Sequence, residues 1–229
     1  MKQQTKKRTL SDLMGDSSSL LTVIGALLVE IVVFAILSPN FLTVINFKNI
    51  GLYAAIVGCV SCSVTLVNIS GMIDISVGSQ IAVVGMVAAL VSGAGGNWVG
   101  TTAASLAVGV TLGAINGFFI TVLKLNAFIT TIATMQSFRG LAFLLSDGMS
   151  LTISDSAFKF IGRGYILGIP MSLIIMLVCY LVFHFISKYT VLGRNVYMIG
   201  GNPQASFLAG INVNSLRFKL YLINGLLCG

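Results

Sequence analysis

The chain has 229 residues, of which 56% are hydrophobic and only 8% charged, with a formal net charge of +7. A water-soluble domain carries about a quarter charged residues, so this composition excludes one and marks an integral membrane protein. Nucleic acid is excluded as a partner too, because the basic residues flank apolar runs instead of forming one stripe.

Six apolar runs are long enough to cross a bilayer: residues 20–37, 50–69, 75–91, 99–123, 127–145 and 168–186. Lys2, Lys6, Lys7 and Arg8 precede the first run, as in a signal peptide. That run is longer than a usual signal core and no A-x-A cleavage site follows it, so it is read as a retained span. A seventh run, residues 218–229, is too short to span, and a domain incomplete at its C-terminus is expected. The predicted fold is an all-α polytopic membrane protein with six full spans and a partial seventh, forming one transmembrane domain over residues 1–229.

Orientation follows from the basic residues. With the N-terminus in the cytoplasm, Lys2, Lys6, Lys7, Arg8, Lys124, Lys188, Arg194, Arg217 and Lys219 lie inside, against Lys48, Lys159 and Arg163 outside. This predicts a cytoplasmic tail over residues 1–19 and a cytoplasmic loop over residues 187–217. Trp98 and Tyr165 then fall near the outer boundary and Tyr189 near the inner one, where amphipathic rings prefer to sit.

Within the spans, Gly109, Gly113 and Gly117 recur every four residues, and Gly78, Ala82, Gly85 and Ala89 form a second stripe of small residues. Both are expected to let helices approach closely. Cys59 and Cys62 form a C-x-x-C pair, with Cys179 and Cys228 elsewhere in apolar runs. No second pair or histidine accompanies them, so packing is expected, with no disulfide and no metal. Glu30 and Arg139 are charges inside spans and should face protein or water; Arg139 lies near enough to the outer end to snorkel. The lone histidine, His184, is expected to pack at the inner interface.

Asp74 stands in a near-loopless break between two spans, in Gly71-Met72-Ile73-Asp74-Ile75-Ser76-Val77-Gly78-Ser79. Backbone amides in so tight a reversal need partners. Asp74 and Ser76 offer oxygens to the N-terminus of the third span, whose dipole favours an anion. A second reading, compatible with the first, makes Asp74, Ser76 and Ser79 a polar turn lining a translocation pathway. The segment 146–167 alternates Asp155, Lys159 and Arg163 with Phe158, Phe160 and Ile161, which suggests an amphipathic stretch on the interface. It is either an ordinary interfacial loop or a platform for a soluble partner.

The inner loop carries Gly200-Gly201-Asn202-Pro203-Gln204-Ala205-Ser206-Phe207-Leu208-Ala209-Gly210-Ile211. Asn202 suits a helix cap, Pro203 the first helical position and Gly210 a left-handed stop. About two turns of helix are too short to stand alone in water, so a docking partner is expected for Phe207 and Leu208. No phosphate-cradling G-x-x-x-x-G-K-[ST] loop, nucleophile elbow or H-E-x-x-H pattern is present, so no catalytic site and no cofactor is expected.

These stretches resemble the permease subunits of ribose, xylose and galactose-type sugar ABC importers. The likeness rests on Ser38-Pro39-Asn40-Phe41-Leu42, the 71–79 turn, Ala127-Phe128-Ile129-Thr130-Thr131, Arg139-Gly140-Leu141-Ala142, Leu192-Gly193-Arg194 through Tyr197, and residues 200–213. Met72 replaces a glycine usual in the family, Gln204 replaces an often acidic residue, and such permeases continue well beyond this length. The resemblance implies a multi-pass protein of the cytoplasmic membrane that imports a monosaccharide. Its implied partners are a second permease subunit, cytoplasmic ATPase subunits and an extracytoplasmic sugar-binding protein, besides membrane lipid. It makes Gly200, Gly201, Asn202, Pro203, Ala205, Phe207, Leu208 and Gly210 the ATPase-coupling element. Two other classes stay open. One is a gradient-driven secondary carrier, with Glu30, Asp74 and Arg139 as its candidate ionisable groups. The other is an inactive, truncated permease relative.

Overall fold

The computed structural model describes residues 10–229, with side chains from residue 21. Lys2, Lys6, Lys7, Arg8 and the first half of the expected tail lie outside the described residues. The chain divides into two compact units, residues 1–50 and 51–229.

The first unit holds α1 (Leu10–Leu37) and the start of α2 (Val44–Ile69). Helix α1 begins ten residues before the apolar run, so the second half of the expected tail is helical. Each residue added to a formed helix gains a hydrogen bond, which carries the element past its apolar stretch. The Ser38–Leu42 stretch is the turn between the two helices. Its Phe41 amide donates to the Ser38 carbonyl (3.1 Å), and the Phe41 ring stacks on Phe34 with centroids 5.6 Å apart. Thr43 Oγ1 accepts the Asn46 amide, supporting the entry to α2.

The second unit contains the rest of α2 and then α3 (Val77–Gly93), α4 (Trp98–Thr121), α5 (Ala127–Ser146), α6 (Ser156–Arg163), α7 (Met171–Tyr189), α8 (Val191–Gly201), α9 (Pro203–Leu208) and α10 (Val213–Cys228). Between α6 and α7, β1 (Tyr165–Ile166) and β2 (Ile169–Pro170) form a two-residue hairpin, the departure from an all-α chain among the described residues. Asn97, Asn126, Asp155 and Thr190 cap α4, α5, α6 and α8 through their side chains. The amphipathic stretch expected around residues 158–161 is α6, with Phe158 and Ile161 half-buried and Lys159 and Arg163 exposed.

Among the described residues, four helices are long and apolar enough to cross a membrane: α2, α4, α5 and α7. Helix α3 is shorter; at 17 residues it rises about 25 Å against a hydrocarbon core of about 30 Å.

The two small-residue stripes behave differently. Helices α4 and α10 cross antiparallel at Gly109, Gly113 and Gly225, where any β-carbon would overlap backbone of the opposite helix. Gly117 faces the ring of Phe218 and the β-carbon of Tyr221. Such contact is open only to glycine, and in lipid close packing is what holds helices together. At Gly78 and Gly85, by contrast, an added β-carbon meets nothing. The expectation of close packing therefore holds for the first stripe; in the second, Ala82 and Ala89 are packed while the two glycines face open space within this chain. Two buried clusters complete the unit. One joins Leu66, Val67, Ile120, Val196, Ile199, Leu216, Leu220 and Tyr221; the other joins Val83, Leu112, Phe138 and Ala142.

Candidate functional site: a polar break clamped by the last helix

Helix α2 ends in a Schellman turn, with Gly71 at φ +78°, its amide on the Asn68 carbonyl and the Met72 amide on the Val67 carbonyl. Six residues later α3 has begun. The chain between them is unwound inside an apolar bundle, so each polar group needs a partner from the protein. Asp74 supplies several. Its Oδ1 accepts the Ser76 amide (2.9 Å) and the Ser76 hydroxyl (2.6 Å). Its Oδ2 accepts Asn224 Nδ2 (2.8 Å) from α10 and Gln80 Nε2 (3.2 Å) from α3. Four donors on two oxygens suit a group that only accepts. Among the described residues, this is the only buried carboxylate.

Ser76 is the second node. Its hydroxyl donates to Asp74 and accepts from Gln80 Nε2 (2.8 Å) and from Asn116 Nδ2 of α4 (2.7 Å), which uses its full capacity. Ser63 of α2 extends the network, its Oγ lying 2.8 Å from Asn224 Oδ1. Four helices thus meet on one turn. Sequence reasoning expected Asp74 and Ser76 both to cap α3. Asp74 does bind the amide at its entry, but Ser76 makes no side-chain cap. Its hydroxyl instead donates to the Asp74 carboxylate, and its acceptor sites are taken by the Gln80 and Asn116 amides, which leaves none for the helix amides. Ser79 is buried one turn further along α3.

Helix α10 grips the same break at helical spacing. Arg217 Nη2 donates to the Ser70 carbonyl (3.1 Å), Tyr221 Oη to the Ile73 carbonyl (3.0 Å), and Asn224 to Asp74. These positions, i, i+4 and i+7, share one face. The Arg217 cation sits at the C-terminal end of α2 and the Asp74 anion at the N-terminal end of α3, each favourable to the adjacent helix dipole.

Helix α9 forms as its sequence dictates. Asn202 Oδ1 accepts the Ala205 amide (3.0 Å), and Pro203 stands at the first position. Gly210, at φ +87°, closes the helix by a Schellman turn, its amide on the Phe207 carbonyl and the Ile211 amide on the Ser206 carbonyl. Ser206 faces inward, while Ala205 is exposed and Phe207 and Leu208 are 68% and 86% exposed. Pro203, Gln204, Phe207, Leu208 and Val213 line a cavity of about 470 Å³. The two glycines before α9 differ: a β-carbon on Gly200 would overlap the Ile69 carbonyl, whereas one on Gly201 meets nothing. His184, near the C-terminal end of α7, packs edge-on to Tyr189 and lines a second cavity, of about 590 Å³, with Lys188, Arg194 and Tyr197. Asp74, Ser76 and Ser79 line neither.

Gln80, Asn116, Asn224, Arg217 and Tyr221 escaped the sequence reading. One signal was available: Ile115-Asn116-Gly117 recurs as Ile223-Asn224-Gly225 in a second apolar run. Each asparagine reaches the Asp74–Ser76 turn, and each following glycine lies in the α4–α10 crossing.

Compared with known proteins, residues 46–229 match the family described as branched-chain amino acid transport system / permease component. The L-arabinose transport system permease protein AraH of Escherichia coli is 38% identical over 212 residues, 92% of this chain and 63% of that protein. The ribose import permease proteins RbsC of Escherichia coli and Bacillus subtilis are each 36% identical, over 88% of this chain and 64% and 63% of theirs. The chain therefore spans a little under two thirds of the length of these relatives. No solved structure matches it.

Proposed function

Because the chain belongs to the branched-chain amino acid transport system permease component family, we propose that it is the membrane permease subunit of an ATP-driven monosaccharide importer, with a pentose as its cargo. The relatives named for L-arabinose and ribose support the substrate class. The observation that carries the mechanism is α9: a six-residue helix, fixed at both ends, that presents Phe207 and Leu208 to the surroundings. Exposing two large apolar side chains outside the apolar runs is favourable only when a partner covers them. That partner is a cytoplasmic ATPase subunit, which holds α9 in a groove and supplies the work. In this scheme the N-terminus and residues 187–217 face the cytoplasm, six spans cross the cytoplasmic membrane, and residues 218–229 begin a seventh. The chain pairs with a second permease subunit, and an extracytoplasmic binding protein delivers the sugar.

Gly201, Asn202, Pro203, Ala205, Phe207 and Leu208 form the coupling surface, while Gly200 and Gly210 set its angle. Asp74, Ser76 and Ser79 stiffen the wall of the pathway at the α2–α3 break. An importer alternates between two states, and the ATPase biases the equilibrium only through contacts that differ between them. A short rigid helix meets that requirement better than a loop would.

The test is transport and ATP hydrolysis in proteoliposomes for Gly201→Asp and Phe207→Asp, with L-arabinose and D-ribose as probes. Both side chains project away from the fold, so insertion and thermal stability stay at the parental level. Uptake falls at least tenfold and substrate no longer stimulates hydrolysis. Parental uptake in both variants overturns the coupling assignment.

A further inference from the structure

We propose that α10 is the rod that carries movement of α9 to the α2–α3 break, with Arg217, Tyr221 and Asn224 as its positioning residues. The inference rests on the coupling role of α9 for its physiological meaning, but its geometry stands apart from that role. Only residues 209–212 separate α9 from α10. Within them, Gly210 and Ile211 are bonded back to α9, and Asn212 caps α10 by accepting the Ser215 amide (3.0 Å). Ile211 and Val213 pack against the buried cluster that contains Leu216, Leu220 and Tyr221. The link is therefore a rigid corner, without slack to absorb a displacement.

From that corner, α10 presents one face to the break. Arg217, Tyr221 and Asn224 hold Ser70, Ile73 and Asp74 in succession, three bonds of 2.8–3.1 Å along about two turns. An adjacent side of α10 meets α4 at Gly225, where backbone touches backbone. A helix bonded on one face and close-packed on another moves as a unit, since neither contact stretches without leaving buried polar groups unpaired. Displacing α9 thus displaces residues 70–76, the unwound point at which α2 and α3 change direction relative to each other. Such points absorb conformational change in the hinge class of transitions.

The experiment uses the full chain in phospholipid nanodiscs and needs neither ATPase nor sugar. Hydrogen exchange is followed by mass spectrometry over residues 67–80, with Asn202→Ala as the perturbation of α9. Losing the cap raises exchange of the amides of residues 71–76 about two- to fivefold in the parental background. In a Tyr221→Phe/Arg217→Met background the break exchanges faster from the start, and the same cap removal adds less than about 1.5-fold. Tyr221→Phe keeps the β-carbon that faces Gly117 and the ring beyond it, and Arg217→Met keeps an apolar stem. Protection of α4 reports that the fold is intact; should it fall in the double variant, Tyr221→Phe alone serves as the background. An equal increment in both backgrounds, or none in the parental one, overturns the proposal. Because no ATPase is present, either result leaves the outcome of the Phe207→Asp transport test standing on its own.

Discussion

In an Asp74→Asn variant, one carboxylate oxygen becomes an amide group aimed at two others, Asn224 Nδ2 at 2.8 Å and Gln80 Nε2 at 3.2 Å. Two buried donors left unpaired cost about 1–3 kcal/mol each. Turning the Asn224 amide over restores one of them, because Ser63 Oγ can accept in place of donating. The net loss is then about 1–3 kcal/mol. Asn224→Asp is harsher, since it sets two carboxylate oxygens about 2.8 Å apart. At an effective dielectric of about 20 that repulsion is at most about 6 kcal/mol, because a proton taken up between the two carboxyl groups relieves it. The exchange Asp74→Asn/Asn224→Asp returns one carboxylate and one amide to the pair. The carboxylate, now on α10, accepts from the amide on the turn and from the Ser63 hydroxyl. Only the Gln80 bond to position 74 is lost, a cost of about 1–1.5 kcal/mol. Thermal unfolding in detergent reads the series at about 2–4 °C per kcal/mol. Asn224→Asp should melt up to about 24 °C below the parent, and the exchange within about 6 °C of it. An exchange variant that melts as early as Asn224→Asp refutes the pairing of these two side chains.

The glycine stripes give a second test. Gly113→Ala or Gly225→Ala drives a methyl group into the backbone of the opposite helix and should cost about 1–3 kcal/mol or more, measured by the same melt. Gly85→Ala enters open space and should leave the isolated chain unchanged or up to about 1 kcal/mol more stable. The adjacent glycines before α9 separate folding from coupling. Gly200→Ala collides with the Ile69 carbonyl and should lower the yield of folded protein, read by gel filtration, whereas Gly201→Asp should elute as the parent does.

What could be read from the sequence was local. Helix α9 was legible to the residue because its stops are set by side chains within four positions of the backbone they satisfy: Asn202 on Ala205, and Gly210 at positive φ. The break at Asp74 was legible for the same reason. The stripes were seen but not told apart. Gly109 and Gly113 differ from Gly78 and Gly85 only in what stands opposite, and α10 lies about a hundred residues from α4 in sequence. Gln80, Asn116 and Asn224 were passed over because one amide in a run of apolar residues barely changes its hydropathy, while its partner decides its role.

Burying Asp74 among apolar helices is unfavourable unless donors surround it, and its donors come from its own turn, from α3 and, 150 residues away, from α10. The turn between α2 and α3 is therefore not self-sufficient. Until α10 docks, Asp74 lacks Asn224, the Ile73 carbonyl lacks Tyr221 and the Ser70 carbonyl lacks Arg217. That dependence also fixes α10 in register: a slide of one turn would carry all three partners past their acceptors together, at the cost of three buried polar groups left unpaired. The same bonds that complete the fold thereby tie α10 to the break in a single register, so the two move together, as the coupling role proposed for α9 requires.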